Sequence, residues 1–143
     1  MLAAEPNLVF ILLVEDNPAD AGLIRRALEE HGVDGSLLVL ADGEKAIQFI
    51  RTLDDAQAGA CPGLAIIDLN LPKKSGREVL ECIRHSISCH EAPVVILSSS
   101  DAHQDKADAM RLGASQYLRK PSTLAEFMSL GAVFKATIEQ HAQ

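Results

Sequence analysis

Long apolar runs are missing from this sequence. The longest uninterrupted one, Leu8 to Val14, falls far short of the roughly 20 residues that a helical membrane span requires. The opening residues Met1-Leu2-Ala3-Ala4-Glu5-Pro6 lack the basic flank of a signal peptide, so a cytoplasmic protein with no membrane segment is expected. Cysteine is scarce as well: Cys61, Cys82 and Cys89 are the only three, with no CxxC spacing. An odd number cannot all pair, so disulfides and redox catalysis find little support and reduced thiols are expected. Basic residues are also few. Thirteen Lys and Arg stand against 20 Asp and Glu, for a formal charge of −7, which opposes non-specific nucleic-acid binding because that needs a positive surface to displace phosphate counterions. Neither internal repeats nor low-complexity segments occur. The 143 residues suit one domain that buries about two-thirds of its unfolded surface without a staple. That domain is expected over 8–139, with tails at 1–7 and 140–143 and no output domain.

What is present is an alternation of strand and helix signals. Leu8 to Val14 reads as a central parallel strand covered on both faces. It ends in Glu15-Asp16-Asn17-Pro18, where Asn17 suits an N-cap, Pro18 the first helical position and Asp20 the positive helix start. The helix that follows buries Leu23, Ile24, Ala27 and Leu28. Arg25 with Glu29 and Arg26 with Glu30 are spaced to pair on its surface, and His31-Gly32 stops it. Ser36 to Leu40 is a second strand; Asp42 then caps a helix with Ala46, Ile47, Ile50 and Leu53 facing inward. Asp54 to Pro62 connects into Gly63-Leu64-Ala65-Ile66-Ile67-Asp68, a buried strand that stops at one carboxylate. After the Lys73-Lys74-Ser75-Gly76 turn, Val79, Leu80, Ile83 and Ile87 form the apolar face of a third helix.

Cys82, His85 and Cys89 fall at i, i+3, i+7 on the other side of that helix. A soft metal would want a fourth ligand, which His90 supplies only if the helix ends there. Scattered surface thiols and a solvated histidine account for the same residues.

Pro93 to Leu97 is a fourth buried strand, crowned by Ser98-Ser99-Ser100. A helix over Gln104 to Leu112 has little beyond Ala107, Met110 and Leu112 to bury, and Gly113 stops it. Ser115 to Arg119 is a fifth strand that delivers Lys120-Pro121. Thr123 and Glu126 form a capping box for a last helix whose Leu124, Phe127, Met128, Phe134 and Ile138 face the core, with Gly131 permitting close backbone approach. Leu130 and Val133 lie roughly 80 to 140 degrees off that face at 100 degrees per residue. They are expected to be exposed, either singly or as a partner surface.

Five strand-helix units predict an α/β, flavodoxin-like, doubly wound five-stranded parallel sheet in order 2-1-3-4-5 with five helices. That order sets the first and third strands side by side, about 4.8 Å apart. Glu15, Asp16 and Asp68 then surface together and repel one another, which calls for a cation. Oxygen ligands without His or Cys favour a hard ion such as Mg²⁺. A carboxylate can act as the nucleophile in phosphoryl transfer. Lys120 and Ser98, each at the end of a different strand, offer a cation and a hydroxyl donor to the transferred group.

These residues resemble a response-regulator receiver domain of the single-domain, CheY-like type. The motifs are Leu12-Leu13-Val14-Glu15-Asp16-Asn17-Pro18-Ala19-Asp20, Ile67-Asp68-Leu69-Asn70-Leu71-Pro72, Pro93 to Ser100, and Gly113 to Pro121. The resemblance implies a two-component response regulator that accepts a phosphoryl group from a histidine kinase onto Asp68, without being an enzyme in its own right. It implies Glu15, Asp16, Asp68 and the Asn70 backbone carbonyl as Mg²⁺ ligands, and Ser98, Ser99 and Lys120 as phosphoryl contacts. Ser98 and Tyr117 would be the switch, and the bond before Pro121 would be cis. Glu15-Asp16-Asn17-Pro18-Ala19-Asp20, Asn70 to Lys73 and Lys120 to Leu124 are also similar to regulators that serve bacterial phytochrome kinases. This implies a light-sensing kinase as partner and a homodimer through the fourth helix, fifth strand and fifth helix.

Three positions depart from the commonest pattern: Glu15 where Asp is more usual, Ser98 where Thr is more usual, and Ser99-Ser100 where small and acidic residues are frequent. Three rivals remain. A phosphatase with a strand-end Asp wants a second Asp two residues on, where Asn70 stands. A flavodoxin-like nucleotide binder would welcome phosphate in its first loop, where Glu15-Asp16 repel it. A phosphorylation-independent interaction module has no need of the acids and Lys120.

Overall fold

Strands and helices alternate along the chain as β1 (Val9–Val14), α1 (Pro18–Glu30), β2 (Gly35–Leu40), α2 (Gly43–Ala56), β3 (Leu64–Asp68), α3 (Gly76–Arg84), β4 (Val94–Ser98), α4 (His103–Arg111), β5 (Gln116–Arg119) and α5 (Leu124–His141). The computed structural model describes residues 9–56 and 61–141. The expected tail at 1–7, Leu8 of the first strand, 57–60 of the connection and 142–143 lie outside the described residues. Gln140 and His141, expected in a tail, continue α5.

The five strands are parallel in the order β2-β1-β3-β4-β5, as expected. The period-two alternation of strand side chains splits the core into two layers. Leu12, Val14, Ala65, Ile67, Val94 and Ile96 pack with α2, α3 and α4 on one face of the sheet. Ile11, Leu13, Leu64, Ile66, Val95 and Leu97 pack with α1 and α5 on the other. Strands β3 and β4 are buried along their whole length, because helices cover both faces of a parallel sheet.

Local chemistry sets the helix starts. Asn17 Oδ1 accepts from the backbone N–H of Ala19 at 2.9 Å and of Asp20 at 3.2 Å. Asp42 Oδ1 accepts from the Lys45 N–H at 2.8 Å. Ser75 and Glu78 close a reciprocal capping box on α3, a signal carried by Ser75-x-x-Glu78. Gly131 does sit at a close approach: a Cβ there would meet the Ala27 carbonyl and the His31 ring. His31 Nε2 donates to the Met128 carbonyl oxygen at 3.0 Å, tying α1 to α5.

Several expected core positions differ. Leu130 is buried with Phe127 and Phe134, while Leu124 is 52% exposed. From Phe127, the i+3, i+4, i+7 series selects Leu130, Gly131 and Phe134, so the buried face is turned away from Leu124 and takes Leu130 into the core. Val133 is half-buried. Ile87 is 85% exposed, because α3 ends at Arg84 and Ile87 falls in the turn beyond it. On α4, Ala107 and Met110 are exposed and Ala109 is buried beside Asp108. Asp108 accepts from Arg77 Nη2 at 2.8 Å, Arg111 Nη2 at 2.6 Å and Gln104 Nε2 at 2.8 Å.

The cysteine expectation is also corrected. Cys61 and Cys89 form a disulfide with Cα atoms 5.5 Å apart. They lie just before β3 and just before β4, and the pairing of those strands brings the two connections together. That proximity is tertiary and cannot be read from residue spacing. The bond removes Cys89 from the soft-metal set with Cys82 and His85, and Cys89 lies beyond the end of α3. Cys82 is half-buried with a free thiol, and burial raises its pKa above the ordinary value.

Candidate functional site at the carboxyl edge of the sheet

Register brings the acids together. Val14 pairs with Ile67, so Glu15 and Asp68 leave β1 and β3 at the same level. One carboxylate oxygen from each of Glu15, Asp16 and Asp68 lies within 4.8 Å of the other two. Glu15 is 3% and Asp68 6% exposed, whereas Asp16 is exposed. Backbone donors orient the two buried acids: the Asn17 N–H donates to Glu15 Oε2 at 3.1 Å, and the Asn70 N–H to Asp68 Oδ1 at 3.1 Å. A Cβ at Gly76 would meet the backbone of Asp68 and Leu69, so the start of α3 rests directly on the end of β3.

Lys120 follows β5, and its backbone N–H donates to the Ser98 carbonyl at 2.7 Å. Its ammonium reaches back across the cleft to Glu15 Oε1 at 2.9 Å, Asp20 Oδ2 at 2.9 Å and Asp68 Oδ2 at 3.1 Å. Burial pushes the Glu15 carboxyl up to about 7, reinforced by the charge of Asp68 and opposed by the hydrogen bonds from Lys120 and Asn17. For Lys120, burial favours the neutral amine, but the bonds to Glu15 and Asp20 and the charge of Asp68 outweigh it and raise its pKa. The ammonium is thereby held charged. Glu15, Asp20 and Asp68 set three carboxylates around that one cation, and Asp16 lies beside Glu15 and Asp68, so the site keeps an excess of negative charge. Three clustered carboxylates with no nitrogen or sulfur donor suit a hard divalent cation. The three acids expected to hold Mg²⁺, Glu15, Asp16 and Asp68, are thus brought together.

A family model for the response regulator receiver domain matches residues 11–130. The chain belongs to the response-regulator receiver family. Response regulator Rcp1 of Synechocystis sp. is 36% identical over 120 residues, which are 84% of this chain and 82% of that protein. The crystal structure of the Mn²⁺-bound form of Rcp1 shares 34% identity and a TM-score of 0.79, over 90% of this chain and 92% of that one. The phosphorylated cyanobacterial phytochrome response regulator RcpA shares 32% identity and a TM-score of 0.83, over 95% and 97% of the two chains. Among the described residues no helix is long and apolar enough to cross a membrane.

Other expected residues of the receiver fall around this cleft. Asp68 pairs with Leu97, which places Ser98 one residue further along the neighbouring strand. Ser98 is fully buried, and its Oγ accepts from the Ser100 N–H at 3.0 Å. Ser99 is exposed at the rim and Tyr117 is half-buried on β5. The Tyr117 hydroxyl donates to the Ser100 carbonyl at 3.0 Å, so ring and Ser98-Ser99-Ser100 loop are joined.

One expectation fails here. The described residues contain no cis peptide bond, so Lys120–Pro121 is trans. An X–Pro bond prefers trans by about 0.5–1 kcal/mol, and the ammonium reaches Asp68 with this isomer. Asp20 has a second position that the sequence reading did not give it. Beyond its place at the helix start, its carboxylate is a partner of Lys120. A signal did exist. Side chains in the first turn of a helix lean back toward its N-terminus, and α1 begins immediately after Glu15-Asp16, so Asp20 overlooks the strand end.

Proposed function

We propose that this receiver accepts a phosphoryl group on Asp68 from a phosphohistidine of a sensor histidine kinase. The convergence of Asp68 with Glu15 and Asp16 within 4.8 Å, and with the Lys120 ammonium at 3.1 Å, carries the reading. In the transfer, an Asp68 carboxylate oxygen attacks phosphorus in line. An O–P bond forms while the P–N bond to the imidazole breaks, and its electron pair stays on the histidine nitrogen. Mg²⁺ held by Glu15, Asp16, Asp68 and the Asn70 backbone carbonyl would supply charge neutralisation for both the carboxylates and the phosphoryl oxygens. Lys120 holds a positive charge where a further phosphoryl oxygen develops, and Ser98 and Ser99 offer hydroxyl and backbone donors from the end of β4.

The added charge biases a two-state equilibrium. Ser98 moves toward the phosphoryl group and Tyr117 turns inward, a coupling supported by the bond from Tyr117 to the Ser98-Ser99-Ser100 loop. The response is delivered on the face of α4, β5 and α5, where a second copy docks. With Leu130 in the core, the apolar residues available there are Met110 and Leu124, 43% and 52% exposed. A light-sensing phytochrome kinase is the proposed phosphodonor, supported by the similarity to RcpA.

Intact mass after incubation with acetyl phosphate tests the chemistry. Wild type gains one phosphoryl group only with Mg²⁺, and Asp68→Asn gains none. Persistent Mg²⁺-dependent labelling of the variant would move the acceptor elsewhere. A wild type that neither labels nor binds beryllofluoride would be a phosphorylation-independent module. Size-exclusion with light scattering, with and without beryllofluoride, tests the dimer.

A further inference from the structure

The three donors of the Lys120 ammonium are all engaged: Glu15 at 2.9 Å, Asp20 at 2.9 Å and Asp68 at 3.1 Å. Two of those partners, Glu15 and Asp68, belong to the acid cluster that suits a divalent cation. Asp20 does not. It sits in the first turn of α1, its backbone N–H is held by the Asn17 cap at 3.2 Å, and its side chain is only 23% exposed. When Glu15 and Asp68 share their negative charge with a bound divalent cation, their hold on the ammonium weakens, and two cations are left side by side. Among the described residues Asp20 is the one partner of Lys120 outside the cluster, so it is the anchor that survives.

We propose that Asp20 is a positioning residue for phosphoryl capture, holding the Lys120 ammonium against the phosphoacceptor once the metal site is filled. The inference rests on the assignment of Asp68 as phosphoacceptor. A tetrahedral ammonium with one N–H pinned to a rigid helix start has less freedom for the other two. The N–H that now meets Asp68 Oδ2 is thereby aimed where a phosphoryl oxygen would lie. Without Asp20, the long lysine side chain must be ordered by the phosphoryl group itself, at a cost in side-chain entropy. A structural role confined to starting α1 predicts something different, because Asn17 and Pro18 already provide that start.

The test is calorimetric titration of the full chain, first with Mg²⁺ alone and then with beryllofluoride in saturating Mg²⁺. Asp20→Ala is expected to weaken beryllofluoride binding by about tenfold, the scale of one hydrogen bond to a charged group, and to change Mg²⁺ affinity much less. Asp20→Asn, which keeps a carbonyl acceptor, is expected to recover part of the loss. In a Lys120→Met background, Asp20→Ala should have no further effect, since it acts through the ammonium. Additive losses in the double variant, or unaltered beryllofluoride affinity in a folded Asp20→Ala, would overturn the proposal. If wild type itself bound no beryllofluoride, the phosphoacceptor assignment would fail instead. Helix content by circular dichroism checks that α1 is intact in each variant.

Discussion

At the amino edge of the sheet the charged groups Arg84 and Asp54 are met by neutral hydrogen-bond partners. The Arg84 guanidinium donates to the carbonyls of Gly113 at 2.7 Å and Ala92 at 2.6 Å. Asp54 accepts from the Ser86 hydroxyl at 2.6 Å and the Ser88 N–H at 3.0 Å, and Cys61–Cys89 joins the entries to β3 and β4. At the carboxyl edge of the sheet, Glu15, Asp20 and Asp68 surround one ammonium, and Asp16 lies beside Glu15 and Asp68. The same two strands, β3 and β4, are thus held at their starts and carry Asp68 and the proposed switch hydroxyl of Ser98 at their ends. The difference teaches where this fold keeps its stability and where it keeps its chemistry. Negative charge crowded at one edge is a standing demand for a cation.

The largest effect expected from breaking this contrast is at the amino edge. The disulfide spans 28 residues, so reduction or Cys61→Ser should lower unfolding free energy by about 3–4 kcal/mol in the chain-entropy account. Urea titration with and without reductant reads this loss, and acetyl phosphate labelling at 25 °C should persist. At the carboxyl edge a ligand should act in the opposite direction. Mg²⁺ at about 100 times its Kd is expected to stabilise wild type by about 2.7 kcal/mol and Asp68→Asn by less, as read by urea titration.

The pH response should separate the edges by sign. Asp54 is held below the ordinary carboxylate value by its hydrogen bonds to Ser86 and Ser88. Its contribution is present above the unfolded value of 3.8 and is lost as pH falls through the depressed folded value. Glu15 is raised from 4.5 to about 7 by burial, so its contribution is present below 4.5 and lost as pH rises through about 7. In metal-free protein, Glu15→Gln should therefore flatten the stability slope between those two values. Asp54→Asn should flatten it below 3.8 instead. The smallest effect belongs to neither edge. Arg26 and Glu30, 3.9 Å apart and both more than half exposed, form a surface pair whose removal in Arg26→Ala should change stability by less than about 0.5 kcal/mol.

Sheet order, strand ends and the convergence of Glu15, Asp16, Asp68 and Lys120 were legible because they follow from local signals and one topological rule. Buried strands announce themselves as apolar runs, and those of β1, β3 and β4 stop at Glu15, Asp68 and Ser98. What was not legible depends on distance in sequence. Cys61 and Cys89 meet because β3 and β4 pair, and Asp108 on α4 gains, beyond its helix neighbours Gln104 and Arg111, a partner from α3 in Arg77. Leu130 was misplaced for a different reason. Leu124 and Met128 are as apolar as Leu130, so hydropathy alone does not determine which way α5 is turned, whereas the approach of Gly131 to α1 does. The trans bond at Pro121 illustrates a choice between isomers too close in energy for a motif to decide.

The central claim is that Asp68 is the acceptor, and one measurement meets it directly. After incubation with acetyl phosphate and Mg²⁺, borohydride reduction converts an aspartyl phosphate to homoserine, and tandem mass spectrometry then locates that residue in the chain. Homoserine is expected at position 68, and none when Mg²⁺ is omitted. Homoserine at position 16 or 20, or a phosphoryl adduct that resists reduction, would contradict it.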